Sequence, residues 1–280
     1  MSTPAAPTPH SAVREVAAGA RAGTTLVALD FDGVLAPLVD DPATSRALPA
    51  SARAIERLAA TGVPVALVSG RALADLWTVA QPPPGVHLVG GHGAEHGRAT
   101  PEGLLREPFD LLPEQARALA ELTASLEAVT AGTTARVERK PASVVLHTRT
   151  AGRDDARRLT DAATALGEAA GVDVLAGKDV VELSVLAVSK GDALRVLRAR
   201  LGVTRIFYAG DDVTDERAFA LLEPQDVTVK VGPGATVAQH RLADPAAVAV
   251  LLDDIASLVT SARPPAVRAV PTEPTAAAGS

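Results

Sequence analysis

Short, unbroken apolar runs alternate with helical patterns along most of this chain. Residues 25–29 are Thr-Leu-Val-Ala-Leu, and the run stops at Asp30. Similar runs cover residues 63–68, stopping at Ser69, then 86–89, then 205–209, stopping at Gly210-Asp211-Asp212, and finally 227–231. Helical periodicity lies between and around them, over 49–60, 73–80, 190–201 and 215–222. Strands that are apolar at nearly every position, interleaved with helices, predict a parallel sheet covered on both faces. In such sheets ligands bind at the carboxyl ends of the strands. Asp30, Ser69 and Asp211 each fall at such an end, on three different strands.

Residues 101–186 follow another pattern. Helices are predicted over 112–130 and 154–170, and strands over 135–138, 143–147, 172–175 and 180–183. This is a helix-strand-strand unit repeated once, which suits an α+β module with two helices on one sheet face. The parallel-sheet pattern resumes only after Lys190, so the module reads as a cap inserted into a core. The expected fold is therefore α/β: a Rossmann-like parallel-sheet core of residues 23–100 and 187–262, with an α+β cap of residues 101–186. The tails, 1–22 and 263–280, are expected to be disordered, because segments rich in Pro, Ala, Thr and Ser bury too little surface to offset chain entropy.

Composition narrows the chemistry. Hydrophobic residues make up 47% and aromatics 2%, so the core must be built from Ala, Val and Leu. The sequence has no cysteine, which excludes disulfides, zinc-thiolate sites and thiol nucleophiles. A formal net charge of -6 argues against a nucleic-acid partner. No apolar run is long enough to cross a bilayer, and the first residues lack the pattern of a secretory signal. The expectation is a cytoplasmic monomer that acts on a small molecule, with no membrane partner.

Two acidic clusters carry most of the chemical signal. In Leu29-Asp30-Phe31-Asp32-Gly33, two carboxylates leave a strand just before a glycine that permits a sharp turn. Gly210-Asp211-Asp212-Val213-Thr214-Asp215-Glu216 places four acids within six residues at another strand end. Such acids repel one another unless a cation is present, and Mg²⁺ prefers oxygen ligands. Asp30, Asp211 and a backbone carbonyl near Asp32 would suit it. Helix capping competes for the same residues, since Thr214, Asp215 and Glu216 also fit a helix N-terminus. Asp211 is thus the first metal candidate, Asp212 the second, and Asp215 is divided between cap and site. Ser69-Gly70-Arg71 ends a strand and opens a helix, where a hydroxyl and free N–H groups can hold a phosphate oxygen. Ser189-Lys190-Gly191-Asp192 begins the helix after the cap. A lysine there opposes the helix dipole, and it could neutralise a phosphoryl group.

These four segments, in this order, resemble the haloacid dehalogenase-like (HAD) phosphatases, and within them the trehalose-6-phosphate phosphatase family. Gly91-His92-Gly93-Ala94-Glu95, Glu138 and Lys140 before a strand ending in His147, and Gly177-Lys178 with Glu182 support the resemblance, which covers about residues 25–252. It implies Mg²⁺-dependent hydrolysis of trehalose 6-phosphate through an aspartyl phosphate. Asp30 resembles the nucleophile and Asp32 the general acid/base. Ser69 and Lys190 resemble the phosphate-holding pair. Asp30, Asp32 and Asp211 would surround the metal, with Asp212 and Asp215 behind them. Arg71, His92, Glu95, Arg139, Lys140, Lys178 and Glu182 would contact substrate. His147-Thr148-Arg149 and Glu182-Leu183-Ser184-Val185 depart from the family's usual His-Tyr-Arg and Glu-Leu/Val-Arg-Pro, which bears on the sugar preference. Sucrose phosphate and mannosyl phosphoglycerate stay open as substrates. A phosphotransferase of the same fold stays open as well. A phosphate-receiver module is disfavoured by the cap and by Asp32.

Overall fold

A computed structural model describes residues 9–261. Residues 1–8 and 262–280, the latter including the expected tail 263–280, lie outside the described residues. The chain runs α1 (Pro9–Arg21), β1 (Thr25–Leu29), α2 (Pro49–Ala60), β2 (Val65–Val68), α3 (Leu73–Ala80), β3 (His87–Gly90), β4 (Glu95–Thr100) and β5 (Gly103–Arg106). It continues through α4 (Pro113–Thr130), β6 (Arg136–Arg139), β7 (Ser143–His147), α5 (Arg153–Ala170), β8 (Asp173–Gly177) and β9 (Val180–Ser184). It closes with α6 (Lys190–Leu201), β10 (Arg205–Gly210), α7 (Val213–Leu221), β11 (Val227–Val231), β12 (His240–Leu242) and α8 (Pro245–Ser261).

Strand β1 is buried at every residue because helices cover both of its faces. Its side chains alternate between them. Val27 and Leu29 join a core with residues of α1, α2, α3 and α8. Leu26 and Ala28 join a second core with residues of α6 and α7. β10 repeats the alternation, with Phe207 and Ala209 on the first face and Ile206 and Tyr208 on the second. The resulting eight-stranded sheet has the order β12-β11-β10-β1-β2-β3-β4-β5. Pairing is parallel from β12 to β3. The carboxyl ends of β1, β2 and β10 therefore lie side by side, and they deliver Asp30, Ser69 and Asp211 to one edge.

Three expectations are corrected. Residues 9–21 of the segment expected to be a disordered tail form α1, in which Ala12, Val13, Val16, Ala17 and Ala20 are buried against the core. Their spacing makes one apolar helix stripe, which supplies the burial that the composition hid. The core sheet is also not parallel throughout. β4 and β5 add an antiparallel hairpin at its edge. Third, β5 carries this sheet to Arg106, so the boundary expected at residue 100/101 falls inside the hairpin.

The second sheet has the order β6-β7-β9-β8, with every pairing antiparallel. Leu122 and Leu126 of α4 and Leu159 and Ala163 of α5 pack on Val144, Leu146, Val181 and Leu183. The opposite face of the sheet carries Glu182, which reaches His92 of the core. No helix among the described residues is long and apolar enough to cross a membrane.

Candidate active site

Local geometry at the end of β1 fixes the first acidic pair. Asp30 is 4% exposed, and its Oδ1 accepts a hydrogen bond from the backbone N–H of Phe31 at 2.7 Å. Gly33 turns the chain at φ +78, and a Cβ there would lie 2.2 Å from Asp211 Oδ2. Glycine at 33 thus lets the two acidic clusters approach. Asp32 faces a different set of partners. Arg71 donates to it through Nε at 2.6 Å and a terminal nitrogen at 2.7 Å, and Ser45 Oγ donates to Oδ1 at 2.8 Å. The Arg71 guanidinium sits 5.8 Å above the Phe31 ring.

Lys190 stands at the first position of α6. Ser189 caps that helix by accepting from Asp192 N–H, while the Asp192 carboxylate accepts from Ser189 N–H and Oγ. The ammonium is 3.1 Å from Asp30 Oδ2 and 2.9 Å from Asp215 Oδ1, although the lysine is only 2% exposed. Burial lowers its pKa, but Asp215 and Asp30 outweigh this and raise it above the ordinary value. The two buried carboxylates offset the unfavourable placement of a cation at a helix N-terminus.

Asp215 is fully buried and saturated. Its Oδ1 accepts from Lys190 and from the Tyr208 hydroxyl, and its Oδ2 accepts from the N–H groups of Asp211 and Asp212 at 2.9 and 3.1 Å. Asp212 is the N-cap of α7, accepting from Thr214 N–H, Thr214 Oγ1 and Asp215 N–H. Burial opposes its ionisation, yet Lys190 and these hydrogen bonds hold its carboxyl below the ordinary range.

Burial pushes the Asp30 carboxyl well up. Lys190 opposes this, and Asp215, Asp212 and Asp211 add to it. Asp211 is pushed up to about 7 by burial and by Asp215 and Asp212, against Lys190 and Lys230. Asp30, Asp211 and Asp215 each offer an oxygen within 4.8 Å of the others. So much negative charge with too little compensation fits a hard divalent cation, which takes oxygen ligands. Because Asp215 has both oxygens doubly engaged, Asp30 and Asp211 are the better direct ligands. The Asp32 carboxylate lies with Arg71 and Ser45 and not in this trio.

The cap meets the core beside this cluster. Lys140 Nζ donates to Gly70 O and to Glu182 Oε2, both at 2.9 Å, and Ser143 Oγ donates to Glu182 Oε1 at 2.6 Å. His92 Nε2 lies 3.4 Å from the same Glu182 oxygen. The histidine adopts φ 55, a left-handed conformation that non-glycine residues rarely take. Gly70 makes room for it, since a Cβ at 70 would lie 2.3 Å from the imidazole. Burial raises the Glu182 pKa, but His92, Lys140 and Ser143 bring it down to about 2. A solvent-open cleft, with about 450 Å³ of free space counting the solvent at its mouth, runs from Lys190 and Thr214 past His92 and Glu182 to Asp173 and Arg217.

Several residues expected at the substrate lie elsewhere. Glu95 is buried, accepting from Leu73 N–H at the start of α3 and pairing with Arg106 at 2.9 Å. It lines a separate cavity with His96. Arg139 projects from the outer face of the cap and pairs with Glu127 of α4. Strand alternation sends it away from its neighbour Lys140, which faces the core. Lys178 is exposed in the turn between β8 and β9. Ser69, by contrast, stays beside Asp30 at the end of β2; it is buried, and its Oγ accepts from Arg71 N–H at 3.2 Å. Ser45, Tyr208, Asp173 and Arg217 were missed. Only Tyr208 had a local signal, a lone hydroxyl in an otherwise apolar strand that runs into the acidic cluster.

Comparison with known proteins follows the same lines. The family model described as trehalose-phosphatase matches residues 28–247. A trehalose-phosphate phosphatase of Mycobacterium marinum is 33% identical over 252 residues, which cover 84% of this chain and 62% of that protein. The chain thus spans about three fifths of the length of such curated relatives. A solved structure described as a trehalose-6-phosphate phosphatase related protein superposes with TM-score 0.69 at 26% identity, covering 85% of this chain and 100% of that one. The C-terminal domain of the C. albicans trehalose-6-phosphate phosphatase superposes with TM-score 0.70 at 23% identity, covering 88% and 98%, and shows the shared fold.

Proposed function

The chain belongs to the trehalose-phosphatase family, and on that premise we propose that it hydrolyses trehalose 6-phosphate to trehalose and phosphate, closing trehalose biosynthesis. The observation that carries this reading is the buried Asp30–Lys190–Asp215 cluster beside Asp211, whose Lys190 opens on a cleft lined by His92 and Glu182. The reading takes a cytoplasmic monomer acting on a small sugar phosphate. The net charge of -6 favours such a partner over nucleic acid.

Asp30 is the nucleophile. Its Oδ1 is fixed by Phe31 N–H, and Lys190 offsets the repulsion between its charge and the incoming dianion. Attack on phosphorus gives an aspartyl phosphate and releases a basic sugar oxygen. Asp32 supplies the proton for that oxygen and then takes one from the water that hydrolyses the aspartyl phosphate. Ser45 and Arg71 aim Asp32, and an arriving phosphate competes with Asp32 for Arg71. The Ser69 hydroxyl and the Lys190 ammonium hold phosphoryl oxygens. Asp30 and Asp211, with Asp215 behind them, would hold Mg²⁺. Bound there, the ion supplies charge neutralisation for the transferring phosphoryl group.

The test is phosphate release from trehalose 6-phosphate, sucrose 6-phosphate and glucose 6-phosphate, with and without Mg²⁺. Mg²⁺-dependent release that is fastest from trehalose 6-phosphate supports the reading. Faster release from another sugar phosphate transfers the same chemistry to that substrate, and absence of release from all three contradicts it.

A further inference from the structure

The cleft extends beyond the groups that the proposed chemistry uses. At its phosphoryl end stand Lys190 and Thr214, and along its roof stand His92 and Glu182. At its far end Asp173, the first residue of β8 in the cap, faces Arg217 of α7 in the core. The Arg217 guanidinium lies 3.9 Å from Asp173 Oδ2. That separation is too long for a hydrogen bond, so each group keeps unused capacity toward the cleft. Their side chains are 55% and 46% exposed. An ion pair this open contributes little to stability. Arg217 is one helical turn beyond Thr214, about 4.5 Å further along the α7 axis from the phosphoryl end.

Sugar hydroxyls both donate and accept. A carboxylate can accept from two neighbouring hydroxyls, while a guanidinium presents a rigid fork of donors. A carboxylate and a guanidinium standing side by side at the end of a cleft, one from each domain, match neighbouring hydroxyls on one edge of a pyranose ring. We propose that Asp173 and Arg217 form the subsite for the sugar ring that does not carry the phosphate, and so set the preference for a disaccharide phosphate. This rests on the reading of the chain as a sugar-phosphate phosphatase. A monosaccharide phosphate anchored at Lys190 leaves this end of the cleft to water.

The test compares the full chain with Asp173→Asn, Arg217→Gln and a charge-exchanged double variant, Asp173→Arg with Arg217→Asp. Each is assayed with Mg²⁺ on trehalose 6-phosphate and on glucose 6-phosphate. Loss of a hydrogen bond to a charged group predicts a fall of about tenfold or more in the ratio of kcat/KM for the two substrates in each single variant. The exchanged pair keeps an ion pair but reverses its donors and acceptors, and it is expected to stay as unselective as the single variants. Recovery of the ratio in the exchanged variant would make the pair a mere tie between cap and core, and overturn the proposal. So would an equal fall on both substrates, or a single-variant ratio like that of the parent. A parent protein with no rate on trehalose 6-phosphate overturns the substrate reading together with the subsite. A parent rate that these variants leave selective overturns the subsite alone.

Discussion

The two ends of the cleft are built by different rules. At the core end Asp30, Lys190 and Asp215 are 4%, 2% and 0% exposed, and their polar atoms are engaged by one another, by Tyr208 and by backbone N–H groups. Such a network is rigid, and removing one member leaves another charge buried without compensation. At the cap end the contact is a single, half-exposed ion pair, Arg217–Asp173. Lys140 and Glu182, both 10% exposed at the side chain, stand between the two regimes. Chemistry common to many phosphate esters asks for fixed charges. Reading a sugar asks for polar groups that exchange water for hydroxyls. The same molecule keeps its electrostatic cost at one end and its adaptability at the other.

The largest effect that would sharpen this contrast is expected for Lys190→Ala. It leaves Asp30 and Asp215 without their shared cation, and should cost about 3–5 kcal/mol of stability by denaturant unfolding, along with phosphatase activity. A loss below 1 kcal/mol, as is usual for an exposed pair, would break the contrast. Asp32→Asn keeps the volume and removes the proton carrier, with an expected loss of about 10² to 10⁴ in kcat. Circular dichroism and unfolding should show the fold unchanged.

The Glu182 carboxyl, held down to about 2 in the fold, gives a pH test. A depressed pKa contributes stability that is present above the ordinary carboxylate value and lost as pH falls toward the folded value. The unfolding free energies of the parent and Glu182→Gln should differ by on the order of 3 kcal/mol near neutrality, and the gap should close between about pH 4.5 and 2. A gap that is constant with pH would assign the difference to packing. The smallest effect belongs to Arg139→Ala. Its partner Glu127 is exposed, so stability should change by less than about 1 kcal/mol. The rate on trehalose 6-phosphate should stay within twofold of the parent, and a tenfold fall would return Arg139 to the cleft.

The same division governs what could be read from the sequence. Asp30, Ser69 and Asp211 were legible because each ends an apolar run, and parallel pairing of β1, β2 and β10 then brings strand ends together without further information. Lys190 was legible because a cation at a helix start needs a reason. Helix α1 was obscured by its alanine-rich neighbourhood, although the stripe of Val13, Val16, Ala17 and Ala20 was present. The β4–β5 hairpin was hidden because Gly, Arg and Thr break the apolar signal in strands that sit at an edge. Glu95 falls within a motif that suggests substrate, but its depth beside Leu73 N–H and Arg106 depends on how β4 packs on α3. Asp173 and Arg217 come from separate domains and meet only once the cap is docked, so no local pattern announces them.

The most direct test of the central claim is to find where the phosphoryl group rests during turnover. The protein would be mixed with trehalose 6-phosphate and Mg²⁺, quenched in acid within milliseconds, digested and mapped by mass spectrometry. The account predicts a phosphorylated peptide carrying the group on Asp30, absent from Asp30→Asn, which releases no phosphate. A phosphoryl group found on another residue, or steady phosphate release by Asp30→Asn, would contradict it.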